Sequence, residues 1–249
     1  MTDMVDVGAG PVLVFLHGAG VDNDMWAPQR AHFESTHRVI VPNLAGHGGV
    51  PPVDTVEEMA EVVHRQLLEL GVQRYAVIGL SLGGMVALEI AARWPEEVTH
   101  LAMIEAVPTV TPNIWVRRAI RLSLWPFKWI PPHLLARFPS RQLGAETEAA
   151  GTYLKSAITQ LSGAQFYAFL RLALDYDGRH RLDDLTMPCA VMVGECNVRI
   201  HDRAAAMAAA IPGCRHVVLP GAGHIANLDA PEAVNAEIER LLSVQADRS

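Results

Sequence analysis

The sequence predicts an α/β fold, a mostly parallel doubly wound sheet with an inserted helical segment. Short apolar runs alternate with amphipathic helical patterns toward both ends of the chain, and the alternation lapses in the middle. Half of the 249 residues are hydrophobic and only 19% are charged, too apolar a balance for a disordered chain. The length suits one large domain, or a core carrying a lid.

The runs at 12–16, 38–41, 75–78, 98–104, 190–193 and 216–219 are rich in Val, Ile and Leu and do not alternate strictly, as expected of strands covered on both faces. Between them lie helices. One starts near Asp54, where Asp54 and Glu57 make an acidic capping box, and runs over 56–70 to Gly71. Others follow Ser81 to about Arg93, then span 202–211 and 231–242. The stretch 107–185 holds Trp115, Trp125 and Trp129 and many prolines, and reads as short helices between proline turns. It is assigned as a cap inserted into a core of residues 1–106 and 186–249. Within it, 107–141 contains six basic residues and no acidic one; removing them from the net charge of −7 leaves −13 on the remainder.

That acidic balance excludes a general nucleic-acid binder, because duplex binding depends on Lys and Arg displacing counterions. No apolar run approaches membrane-spanning length, and the N-terminus lacks a basic segment followed by an apolar one. Cys189, Cys196 and Cys214 show no metal-ligand spacing, so no metal is expected and a cytoplasmic protein with free thiols fits.

The chemistry centres on Gly79-Leu80-Ser81-Leu82-Gly83, which follows a predicted strand and opens a predicted helix. A sharp turn there presents Ser81 Oγ at the top of the sheet, and the flanking glycines allow close approach of neighbouring chain. A neutral hydroxyl is a poor nucleophile, so Ser81 needs a base, and the oxyanion it generates needs donors. The loop His17-Gly18-Ala19-Gly20 after the first run offers the Ala19 N–H, and Leu82 N–H at the helix start is its natural partner in an oxyanion hole. His224, in the glycine-rich loop after the final run, is the candidate base. His17 and His47 read as loop scaffolds.

These features resemble the α/β-hydrolase superfamily over nearly the whole chain outside the cap. The resemblance rests on His17-Gly18, Trp26 nine residues later, the Pro42 to Gly48 loop, the Ser81 elbow, and Gly221 to His224 followed by Pro231-Glu232. Gly79-Leu80-Ser81-Leu82-Gly83-Gly84-Met85 is similar to the group holding carboxylesterases, enol-lactone hydrolases and cofactor-free perhydrolases. It implies the α/β-hydrolase fold, a Ser81 nucleophile, a base that comes last in chain order as His224 does, and no cofactor. The expected substrate is a small to medium hydrophobic ester or lactone. Hydrolysis of a carbon–carbon bond in a dienoic keto acid is the alternative, its carboxylate held by the basic cap.

The sequence departs from the family at the acid. Relatives carry Gly-x-x-Asp after the penultimate strand, where this chain has Gly194-Glu195-Cys196-Asn197. Asn197 can accept a hydrogen bond from an imidazole but brings no charge to an imidazolium, and that exchange costs about 10⁴ in rate in the serine-protease example. Either Glu105, at the end of the 98–104 run, is the acid, or Asn197 is native to a slow member or a ligand binder retaining the pocket, or it is a substitution introduced to trap substrate. Asn43, where relatives often have aspartate, is expected to affect loop order. The cap's Trp125 and Trp129 are expected to line the substrate site as part of a lid with solvated arginines; the alternative is interfacial contact with lipid.

Overall fold

The computed structural model describes residues 4–245. Seven strands form one sheet in the order β1-β3-β2-β4-β5-β6-β7. They are β1 (Val5–Val7), β2 (Val12–Leu16), β3 (Arg38–Val41), β4 (Tyr75–Leu80), β5 (Val98–Ile104), β6 (Cys189–Gly194) and β7 (Arg215–Leu219). Every neighbouring pair is parallel except β1 with β3, which is antiparallel. The six apolar runs are six of these strands. The edge strand β1, three residues long, is too short to produce a periodic signal.

Helices cover both faces: α1 (Ala27–Phe33), α2 (Val56–Glu69), α3 (Leu82–Arg93), α7 (His201–Ala210), α8 (Ala226–Asp229) and α9 (Pro231–Leu242). Two apolar clusters result, one on each side of the sheet, and every β4 residue is buried. The cap of α2 lies one residue beyond the expected position. Thr55, in extended conformation, accepts the Glu58 N–H on its side chain, and the Glu58 carboxylate reaches back to Asp54 N–H. A threonine with the right backbone angles displaces Asp54 from the cap.

Between β5 and β6 lie α4 (Ile114–Leu124), three 3₁₀ turns, α5 (Glu148–Thr159), α6 (Gly163–Asp175) and a further 3₁₀ turn. The two ends of this insertion are laced together: Thr109 bridges Asp177, and Gly178 N–H donates to Pro108 O at 2.7 Å. Arg117 reinforces the seam by donating to the Asp175 carbonyl and the Asp177 carboxylate.

Candidate active site

Ser81 stands between β4 and α3 at φ 55°, ψ −116°. A β-branched or bulky residue would be heavily strained there, and the turn survives because its neighbours are fixed. Ser81 N–H donates to Ile104 O, and Ser81 O receives the N–H groups of Gly84 and Met85. The glycines are sterically required. A Cβ on Gly79 would lie 2.1 Å from Gly83 O, and one on Gly83 would lie 2.2 Å from Leu16 O. The strand, the turn and the neighbouring β2 thus approach at distances only glycine permits.

Glu105 follows β5 directly and is the other non-glycine residue with positive φ, 53°, among the described residues. Its N–H donates to Met192 O, which pins the turn to β6, and its carboxylate is buried. One oxygen accepts Gly194 N–H. The other accepts both Asn197 Nδ2 and His224 Nδ1, the latter at 3.1 Å. A carboxylate only accepts, so Nδ1 carries the imidazole proton and Nε2 is left with a lone pair. Nε2 lies 3.1 Å from Ser81 Oγ, placed to accept the hydroxyl proton.

Asn197 is therefore not the histidine's partner. Glu105 from β5 occupies the space next to Nδ1, and the amide of Asn197 is spent donating to that carboxylate. The shift follows from topology. β5 and β6 are adjacent and parallel, so residues just beyond their carboxyl ends, Glu105 and Asn197, converge on the same loop from β7. With a carboxylate beside His224, the argument for a weakened, purely ligand-binding member loses its only support.

The loop carrying Ala19 is fastened by two imidazoles. His17 Nε2 accepts Leu44 N–H at 2.9 Å, so Nδ1 is protonated and donates to Gly18 O at 2.8 Å. His47 Nε2 accepts Gly20 N–H at 3.0 Å, and its Nδ1 donates to Ala45 O at 3.2 Å. Burial pushes His17 down to about 4. His47, stacked on Phe169 at 3.7 Å, is pushed down to about 3, first by burial and then by His17. Both rings stay neutral and serve as acceptors for backbone. Asn43 joins them by accepting Asn23 N–H at 3.0 Å, a contribution to loop order. Ala19 is half-buried in this loop, and Leu82 is the first residue of α3, where a helix leaves its N–H unpaired within itself.

Sequence reasoning missed Asp229. One of its oxygens accepts the N–H groups of Glu146 and Thr147 and the Thr147 hydroxyl; the other accepts Gly223 N–H at 3.0 Å. It therefore ties the turn before α5 to the His224 loop, and Ile225 N–H adds a bond to Gly144 O at 3.1 Å. Glu146 and Thr147 lie more than eighty residues away, so no local pattern could have announced that part of its role.

A cavity of about 530 Å³ opens beside His224, walled by Asn197, Cys196, Glu146, Arg141 and Arg199. Trp125 and Trp129 do not line it. They form an edge-to-face pair at 4.4 Å on the outer side of the insertion, 52% and 59% exposed. Arg117 and Arg121 on α4 pair with Asp177 and Asp175 at the far end of the same insertion, and the aromatic side of the segment faces outward. Among the described residues, no group of three or more His, Cys, Asp or Glu side chains is arranged to hold a metal, and no helix is long and apolar enough to cross a membrane.

A strand–turn–helix serine facing a strand-end imidazole across a parallel sheet defines the α/β-hydrolase class. Residues 13–237 match the model of the Alpha/beta hydrolase family, and the chain belongs to that family. It is 26% identical over 238 residues to a Shigella flexneri protein named as a candidate carbamate hydrolase, RutD, covering 91% of this chain and 89% of that one. Among solved structures it superposes on a thermophilic esterase from Thermogutta terrifontis with a TM-score of 0.83 and 26% identity, covering 96% and 92% of the two chains. The enol-lactonase of Burkholderia xenovorans LB400 gives a TM-score of 0.84 at 22% identity, covering 97% and 96%, a likeness of fold.

Proposed function

We propose that this hydrolase cleaves a small to medium hydrophobic carboxylic ester or lactone through an acyl-enzyme on Ser81. The observation that carries the reading is the continuous chain from Ser81 Oγ to His224 Nε2 and from Nδ1 to the buried Glu105, which leaves the imidazole in the tautomer a general base needs. His224 takes the hydroxyl proton as Ser81 Oγ attacks the carbonyl, and Glu105 stabilises the imidazolium that forms. The Ala19 and Leu82 N–H groups receive the developing oxyanion, the second backed by the positive end of α3. His224 then protonates the leaving alkoxide, and water attacks the acyl group by the reverse proton path.

The test is a chromogenic short-chain ester followed with intact-protein mass spectrometry. A burst of product and a mass increase mapping to Ser81 are expected, and Ser81→Ala should abolish both. Undiminished turnover by Ser81→Ala would sink the assignment.

A second reading is favoured by Arg141 and Arg199 on the wall of the cavity beside His224. Arginines there suit a substrate with an anionic tail, including a dienoic keto acid cleaved at a carbon–carbon bond. The RutD relatives add carbamates to the panel. Comparing kcat/KM for neutral esters, carbamates and anionic keto acids separates these classes.

A further inference from the structure

Helix α4 is amphipathic, and its aromatic face is turned outward. Spacings of three and four residues put Trp115, Arg118, Leu122 and Trp125 on one face. That face looks outward: Trp115 is 71% exposed and Leu122 74%, and no α4 residue is buried. Arg117 and Arg121, on the flank of that face, are ion-paired with Asp177 and Asp175. Beyond the helix, Trp129 and Phe138 are also exposed. Solvated tryptophans clustered in this way mark a contact surface, because single-domain proteins seldom leave so contiguous an apolar patch open.

The cations around the patch identify its occupant. Among the described residues, Arg118, Lys128 and Arg137 make no ion pair with a carboxylate. Arg118 lies 5.0 Å from the Trp115 ring centre and Lys128 6.0 Å from that of Trp129, so charge and aromatic surface are presented together. A shallow apolar notch of about 360 Å³ sits among Arg118, Arg121, Leu122, Trp125 and Tyr167. The stretch 107–141 has no acidic residue; three of its six cations are paired with Asp177, Asp175 and Glu146 and the other three, among the described residues, are not. The unpaired ones bias this segment toward a negative surface, while the remainder of the chain, at −13, is repelled by it. A second copy is a poor occupant, since a two-fold contact would set the same unpaired cations against one another. Aromatic rings that prefer the headgroup boundary, edged by Arg and Lys for lipid phosphates, fit a bilayer instead.

We propose that the α4 face, from Trp115 to Trp129, docks the protein on the surface of an anionic lipid bilayer, with its rings at the acyl–headgroup boundary. The contact is peripheral and reversible, and it stands or falls independently of the chemistry at Ser81.

The experiment is flotation of the full chain with vesicles of phosphatidylcholine, with and without phosphatidylglycerol, at low and high salt. Tryptophan quenching by brominated lipid reports ring depth. The protein should float with anionic vesicles at low salt, be released by high salt, stay in solution with neutral vesicles, and be quenched when bound. Trp115→Ser with Leu122→Ser should lower the bound fraction about tenfold, and Arg118→Glu comparably. Circular dichroism and thermal unfolding check that these exposed substitutions leave the fold intact. A parent that never floats, or variants that float like the parent, overturn the proposal. So does a parent that sediments as a dimer and becomes monomeric on Trp115→Ser with Leu122→Ser, for the face would then belong to a second copy.

Discussion

In the proposed mechanism Ser81 and Glu105 flank the imidazole, and both sit at backbone angles that glycine ordinarily takes. Ser81 and Glu105 each end a central strand at positive φ, which turns one side chain up toward the imidazole and the other beneath it. On that reading Glu105 is the charge that orients His224, and Glu105→Gln should lower kcat on a chromogenic ester by about 10³ to 10⁴. Asn197→Asp tests the geometry more sharply. If residue 197 were a disabled acid, aspartate there would accelerate the reaction. Here its amide donates to Glu105, so aspartate would remove a donor and bring two carboxylates into contact, forcing one of them to bind a proton. The expected outcome is a loss of about tenfold or more in kcat with an altered pH profile. Asn197→Ala, which only deletes a donor, should lose less. A faster Asn197→Asp enzyme would remove Glu105 from the mechanism.

At the scale of the element, the β4 to α3 junction is a stack of three chain segments with no room for side chains. Gly83→Ala would drive a methyl to within 2.2 Å of the Leu16 carbonyl, a backbone atom held in the sheet. The cost should reach about 1–3 kcal/mol by urea unfolding, as for other forced overpacking, and a stability equal to the parent would contradict the spacing. Local constraints of this kind are what make an element readable from sequence. The glycines, the apolar strand before them and the helix after them all lie within a few residues of Ser81, and the junction was legible in full. The partner of His224 was not, because Glu105 and Asn197 were both candidates until the adjacency of β5 and β6 brought them together. The orientation of α4 was hidden for a related reason. The sequence places Trp125 and Trp129 over the site, but Asp175 and Asp177, more than fifty residues on, pair with Arg117 and Arg121, and the two rings stay outside.

For the molecule as a whole, the two buried imidazoles couple folding to pH. An unfolded chain protonates histidine near the usual 6.5, whereas His17 in the folded protein takes a proton only near 4 and His47 only near 3. Between those limits the unfolded state binds more protons, so acid favours unfolding; the contribution is complete above 6.5 and is lost as pH falls toward 4. Moving from pH 7 to pH 5 should remove about 4 kcal/mol from the pair together, a sizeable part of the stability of an ordinary domain. Asp6 and Asp177 do not confuse this window, because arginine partners hold both carboxyls below their ordinary 3.8. The effect reaches the site, since protonating His17 or His47 takes away the acceptor for Leu44 N–H or Gly20 N–H and releases the loop that carries Ala19. Urea unfolding at a series of pH values measures the slope. His47→Gln should flatten it by about half, since glutamine can accept the Gly20 N–H but does not titrate. A parent whose stability stays level from pH 7 to pH 5 would mean that these rings take up protons without leaving their places, and that the loop is fastened by something other than neutral imidazole.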